Sequence, residues 1–249
     1  MEKDPDKENA ASPPGKRTPK RTARRQQIAT KAAQVFADNS YHTVGMREVA
    51  AAVGIRGASL YNHFSSKEEI LYEIALSVTR DTVEGYISIL DAPGRSAERL
   101  AALIRSHIQH VAVRRVEHLV AIAEVKALTE EHRKHVLDYK TYYHRRVRDV
   151  IIAGHRTGDF HTSNPRLATT ALMDMLNSVS AWYQPEIDVS ELADGYIKLG
   201  IGGLLGYQGD LDELCRTAIK LIRTSGVTVL EPAPVATLAV APRTPPPSR

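Results

Sequence analysis

Between Gly54 and Glu69 the chain reads GIRGASLYNHFSSKEE. Gly57, Ala58 and Ser59 stand directly before Tyr61, Asn62 and His63, and Lys67 opens the next charged stretch. The chemistry this offers is close approach combined with hydrogen bonding. Small side chains let a backbone come near base edges and phosphates; Ala58 can meet a thymine methyl and Ser59 can bond several bases. The polar tips of Tyr61, Asn62 and His63 suit phosphate oxygens, and Lys67 adds a cation beside amides that already favour anions. Leu60 and Phe64, four apart, are expected to face inward and anchor the segment.

Catalytic constellations are not found. The chain has no G-x-S-x-G, no phosphate-cradling glycine loop, no H-E-x-x-H and no C-x-x-C. His107/His110 and His132/His135 have the i, i+3 spacing of a metal pair, with Glu124 or Glu131 as a third ligand. However, TEEHRKH around His132 reads as a solvated helix face, so neither a metal nor a cofactor is expected, and the chain is not read as an enzyme. His107 and His110, beside Arg114, are expected to line or flank a pocket.

The elements that must position these residues are helical. Ile28, Ala32, Val35 and Phe36 recur on one helical face, predicting a first helix over 22–39. A second is predicted over 45–53, closed by Gly54 as a C′ residue, and a short third over 58–63. Two short helices joined by a glycine-containing turn make a helix-turn-helix, whose second helix lies in the DNA major groove. Ser66 with Glu69 reads as a capping box opening a long helix to about 89. Further helices are predicted at 96–113, 115–127, 130–156, 165–183, 189–207 and 210–224. Sustained period-2 alternation is missing, so the expected fold class is all-α.

Composition narrows the partners. The 249 residues carry a formal net charge of +4, but seven Lys or Arg residues and no acid lie between Glu8 and Asp38, which points to a polyanion. The single cysteine, Cys215, suits a reducing cytoplasm, and no apolar run is long enough to span a membrane. Ten of thirteen prolines fall in the first nineteen or last eighteen residues. Residues 1–20 and 227–249 are therefore read as disordered tails, the first a basic arm (Lys16, Arg17, Lys20, Arg21, Arg24 and Arg25 precede or open the first helix) that can reach along DNA.

Residues 22–74 resemble the DNA-binding domain of TetR-type repressors along their whole length. The resemblance rests on A-x-x-x-F in the first helix, M-R-E-V-A in the second, and G-x-x-x-x-x-L-Y-x-H-F-x-S-K-E-E. It implies a DNA-binding domain over 21–66, a ligand-binding and dimerisation domain over 67–226, and a homodimer on a palindromic double-stranded DNA operator. It carries operator contacts onto Arg47, Gly57, Ala58, Ser59, Tyr61, Asn62, His63 and Lys67, with Thr43 near the second helix's start. Where that family usually has Thr or Ser before M-R, this chain has Val44-Gly45, so the phosphate contact there falls to Thr43 or to backbone N–H.

MLNSVSAWYQP at 175–185 and G-D-F at 158–160 are similar to a subgroup that includes repressors of steroid and fatty-acid catabolism responding to acyl-CoA thioesters. The implied effector is small and hydrophobic, of the acyl-CoA class. On helices that such a fold arranges around a cavity lie Leu103, His107, His110, Val120, Glu124, Tyr139, Tyr143, Met173, Asn177 and Trp182. Small residues Ala171, Ser178, Ala181, Gly200, Gly202, Gly203 and Gly206 suggest close packing across a symmetric interface. The other reading is a DNA-binding regulator with no small-molecule ligand, controlled by a protein partner.

Overall fold

The computed structural model describes residues 19–227, with side chains from residue 21 onward. Among them ten α-helices follow one another: α1 (Pro19–Asn39), α2 (Met46–Val53), α3 (Gly57–Tyr61), α4 (Lys67–Tyr86), α5 (Ser96–Val113), α6 (Arg115–Ala123), α7 (Glu130–Thr157), α8 (Pro165–Trp182), α9 (Val189–Ile197) and α10 (Leu211–Thr224). There is no strand among the described residues. The predicted tails lie outside the described residues, except that α1 already begins at Pro19, within the segment read as tail.

Helix ends follow local chemistry. The Ser66 hydroxyl accepts from Glu69 N–H at 3.1 Å, as the predicted cap requires. The Glu69 carboxylate departs from a capping box: it accepts from Ser65 N–H and from Arg25 instead. Thr129, Asn164, Asp188 and Asp210 cap α7 to α10 with side-chain oxygens. Gly54 ends α2 at φ 79°, in the left-handed region that a Cβ disfavours.

Three predicted helices are shorter than expected. α4 ends at Tyr86 and tightens into a 3₁₀ turn over Ile87–Asp91; α6 stops at Ala123 before a 3₁₀ turn over Val125–Ala127. The segment after α9 widens into a π-helical stretch, Lys198–Leu204, before Gly206 closes it at φ 68°. Glycine composition makes that widening possible. A Cβ on Gly200 would stand 2.8 Å from Leu172 Cδ1, and one on Gly202 would stand 2.7 Å from Leu211 Cδ1. Gly200 and Gly202 thus pack closely within the chain and Gly206 turns it, roles separate from the packing expected of them across a symmetric interface.

Two hydrophobic cores share α4. The first gathers Ile28, Phe36, Val49, Leu60, Phe64 and Ile70 of α1 to α4, and it also takes in Val120, Ala121, Leu128 and Val136 from the α6–α7 region. The second joins the end of α4 to α5 and α7 to α10. Because α6 packs into the core under the helix-turn-helix, a displacement of α6 is felt there directly. That connection positions both sites described next.

Candidate DNA-recognition surface and effector cavity

Leu60 and Phe64 are fully buried, so α3 is fixed by its inner face. The outer face carries exposed Ala58, Tyr61 and Asn62, with half-buried Gly57, Ser59 and His63 beside them. Tyr61 is 58% exposed, unusual for a tyrosine with no partner to bury it. A Cβ on Gly57 would meet nothing within 4 Å, so the fold itself does not demand glycine there. Arg47 is exposed on α2.

Other predicted contacts are engaged within the protein. Lys67 Nζ donates to the carbonyls of Tyr41 (2.7 Å) and Val44 (2.8 Å) and lies 4.4 Å from the Tyr41 ring centre. It is a tie between α4 and the α1–α2 turn, not a free cation. The Thr43 hydroxyl is turned toward the carbonyls of Asn39 and Ser40, and Gly45 N–H donates to Glu48 at 3.0 Å. Arg25 is also no arm residue. It is buried, lies 3.9 Å from the Phe64 ring centre, donates to the His63 carbonyl, and pairs with Glu69 (3.0 Å) and Glu73 (2.9 Å). Burial, then Arg24, Arg21 and Arg25, holds the His63 imidazole below its usual pKa. Lys16 and Arg17 lie outside the described residues.

In the other half, α4, α5, α6, α7 and α8 enclose a cavity of about 50 Å³. Val78, Thr79, Thr82 and Val83 line it from α4, His107 from α5, and His118, Ala121 and Ile122 from α6. Lys140, Tyr143 and His144 of α7 and Met173 and Asn177 of α8 complete it. The Tyr143 hydroxyl is 3.2 Å from His107 Nδ1, and that of Tyr86 is 3.1 Å from His110 Nδ1. Burial is the main cause of every shift here: His107 falls to about 4, His110 to about 3, and His118 well below the usual range. The Lys140 ammonium and the His144 imidazole are also pushed down by burial.

Lys140 and His144 also face an open groove of about 590 Å³ between α7 and α8. Its other walls are Leu137, Thr141, Arg145, Arg148, Arg166, Thr169 and Thr170, with no carboxylate among them. Lys140 and His144 thus line both a small, mostly apolar cavity and a basic, solvent-open groove.

Four of the predicted pocket residues meet in the cavity: His107, Tyr143, Met173 and Asn177. Leu103 is core, and His110 sits behind the wall, edge-on to His118 with ring centres 5.2 Å apart. Tyr139 reaches Glu84 at 3.4 Å. Val120 belongs to the core under the helix-turn-helix, Glu124 pairs with His42 at 3.2 Å, and Trp182 stacks on Tyr196 at the surface. These residues share helices with the cavity but turn to other faces, which a helical assignment alone does not resolve. Sequence reasoning missed His118, Lys140 and His144. The lone imidazole in the apolar run VEHLVAIA, and the i, i+4 spacing of Lys140 and His144, were the available signals.

Among the described residues, no group of three or more His, Cys, Asp or Glu is arranged to hold a metal ion, and no helix is long and apolar enough to cross a membrane.

Residues 28–74 match the family model of bacterial regulatory proteins of the tetR family, and residues 93–204 match a tetracyclin repressor-like C-terminal domain. The HTH-type transcriptional repressor KstR2 of Rhodococcus jostii is 28% identical over 77% of this chain and 96% of its own length. The TetR-family regulator PfmR of Thermus thermophilus superposes with a TM-score of 0.67 at 28% identity, over 71% of this chain and 98% of PfmR. AibR, crystallised with isovaleryl coenzyme A and operator DNA, superposes with a TM-score of 0.64 at 24% identity, over 71% of this chain and 97% of AibR.

Proposed function

Since the chain belongs to the tetR family of bacterial regulatory proteins, a DNA-binding family of transcription regulators, we propose that it represses transcription as a homodimer on a palindromic operator and is released by an acyl-CoA thioester. One observation carries the effector class: Lys140 and His144 line both the small, mostly apolar cavity and the basic groove of Arg145, Arg148 and Arg166. Such a pair of compartments suits a molecule with an apolar body and a polyanionic head. The repressor KstR2 supports the repressing sense, and the fold accommodates isovaleryl coenzyme A in AibR.

Release follows from size. A cavity of about 50 Å³ holds little more than water, whereas sites for small molecules run to roughly 300–1,000 Å³. An acyl body enters only if α4, α6 and α7 part. On another face α6 buries Val120 in the core under the helix-turn-helix, and Glu117 accepts from the Thr30 hydroxyl of α1 at 3.2 Å. The occupied state therefore displaces α1 and α4 relative to the DNA-competent arrangement. The ligand shifts the equilibrium only by its differential affinity for that displaced state.

Titrating acyl-CoAs of increasing chain length into the protein–operator complex, followed by fluorescence anisotropy, tests this. Release by at least one thioester, with Arg148→Ala plus Arg166→Ala raising the concentration needed at least tenfold, is the expected result. The small closed volume favours a second reading, a regulator controlled by a protein partner and without a ligand. If no thioester binds or releases the operator, the second reading takes its place.

A further inference from the structure

The groove and the cavity's apolar walls account for the two ends of an acyl-CoA, but not for the imidazoles inside. His107 and His118 are 2% and 7% exposed and both line the cavity. The Tyr143 hydroxyl occupies His107 Nδ1, and His107 Nε2 is left buried without a hydrogen-bond partner. His118 Nε2 is likewise buried and unpartnered. His110 stands behind them against Tyr86, so its ring backs the wall and does not reach a ligand.

Two orphaned ring nitrogens on one small cavity are unusual, because buried polar atoms are nearly always paired. A plain alkyl chain in this space would seal both away from any partner and carry their full desolvation cost. An oxygen brought in by the ligand would satisfy them. A neutral imidazole presents a donor or an acceptor at Nε2 according to tautomer, so the pair can meet a ketone or a hydroxyl.

Resting on the acyl-CoA reading, we propose that His107 and His118 recognise an oxygen function carried within the apolar body of the effector, beyond the thioester. The effector class is then an oxo- or hydroxyacyl-CoA, and saturated acyl-CoAs are weak effectors. Sites built to bond a substrate oxygen reject the analogue lacking it far more strongly than apolar pockets distinguish a methylene.

The test uses the full chain and isothermal titration calorimetry with octanoyl-CoA and the 3-, 5- and 7-oxo-octanoyl-CoAs, which scan one ketone along the chain. At least one oxo compound should bind ten-fold or more tightly than octanoyl-CoA. In His107→Leu and His118→Leu the preference should collapse toward unity while octanoyl-CoA still binds, and His118→Gln, which keeps a polar tip, should restore part of it. Thermal unfolding of each variant checks folding, and the wild-type ratio stands by itself should a variant not fold. Equal affinity for all four thioesters overturns the proposal, as does a preference that survives both leucine variants. If none of the four binds, the acyl-CoA reading has failed. The histidine pair is then judged on 5-oxo-octanoate against octanoate, where the absence of a ten-fold preference overturns it too.

Discussion

Lys67 is expected from the sequence to contact the operator, yet its ammonium holds the Tyr41 and Val44 carbonyls. Hydrogen bonds from a charged group contribute about 1.5–3 kcal/mol. Lys67→Met should therefore destabilise the protein by an amount in that range, seen as a lower urea midpoint. The dependence of operator affinity on log salt should keep its slope, because no phosphate contact is removed. A slope reduced by about one would return Lys67 to the DNA surface. Ser59 on α3 has no such engagement. Ser59→Ala should cost about 1–3 kcal/mol of discrimination at one operator position, measured against an operator substitution series. The contrast shows what was legible. Side-chain exposure on α3 follows from helical period and from the apolar anchors Leu60 and Phe64, all within a few residues. The engagement of Lys67 depends on a turn 23 to 26 residues earlier, and that of Arg25 on carboxylates 44 and 48 residues later. No local pattern announces such partners.

Between elements, Arg25 ties α1 to α4 through Glu69 and Glu73. Removing one partner of a buried ion pair costs about 3–5 kcal/mol. Arg25→Ala should lower stability on that scale, checked by denaturant unfolding, whereas Arg24→Ala on the exposed face should change it by no more than about 0.5 kcal/mol. The histidines between α4, α5 and α6 impose a pH dependence. His107 and His110 titrate at about 4 and about 3 in the folded chain against an ordinary 6.5. As pH falls through 6.5 the unfolded chain takes up protons that the folded chain refuses. Stability is thus complete above about 6.5 and declines as pH falls toward 4, and for His110 toward 3. Between pH 7.5 and 5 each imidazole should remove roughly 2 kcal/mol, and His107→Phe should flatten the profile of the denaturant midpoint over that interval. Helix positions were legible because capping residues and prolines mark them locally. The π-helical widening after α9 was not, since it reflects the fit of Gly200 against Leu172 of a different helix.

At the scale of the whole molecule, one face of α8 and α9 lacks a cover among the described residues. Leu167, Ala171, Ser178, Ala181 and Trp182 run along α8 at helical spacing, and Leu199 follows α9. Leu167 is 64% exposed, Leu199 61% and Trp182 44%. Gly203, unlike Gly200 and Gly202, has open space where a Cβ would go. An apolar strip with small residues suits a self-complementary face about a two-fold axis. The small residues Ala171, Ser178, Ala181 and Gly203 were legible in the sequence, whereas the exposure of Leu167 and Leu199 depends on which faces the other helices leave uncovered. The proposed homodimer would matter to function through distance: paired recognition helices must stand about 34–36 Å apart to reach successive major grooves. Introducing a charge at Leu199, which lies neither on α3 nor in the cavity lining, should separate assembly from recognition. Leu199→Arg is expected to sediment as a monomer of half the wild-type mass with unchanged helical circular dichroism. Its affinity for the full palindrome should fall at least a hundred-fold, to that for an isolated half-site, because the second recognition helix is no longer delivered by the first. Wild-type affinity in a monomeric variant would mean that one helix-turn-helix suffices, and a variant that stays dimeric would move the interface to another face.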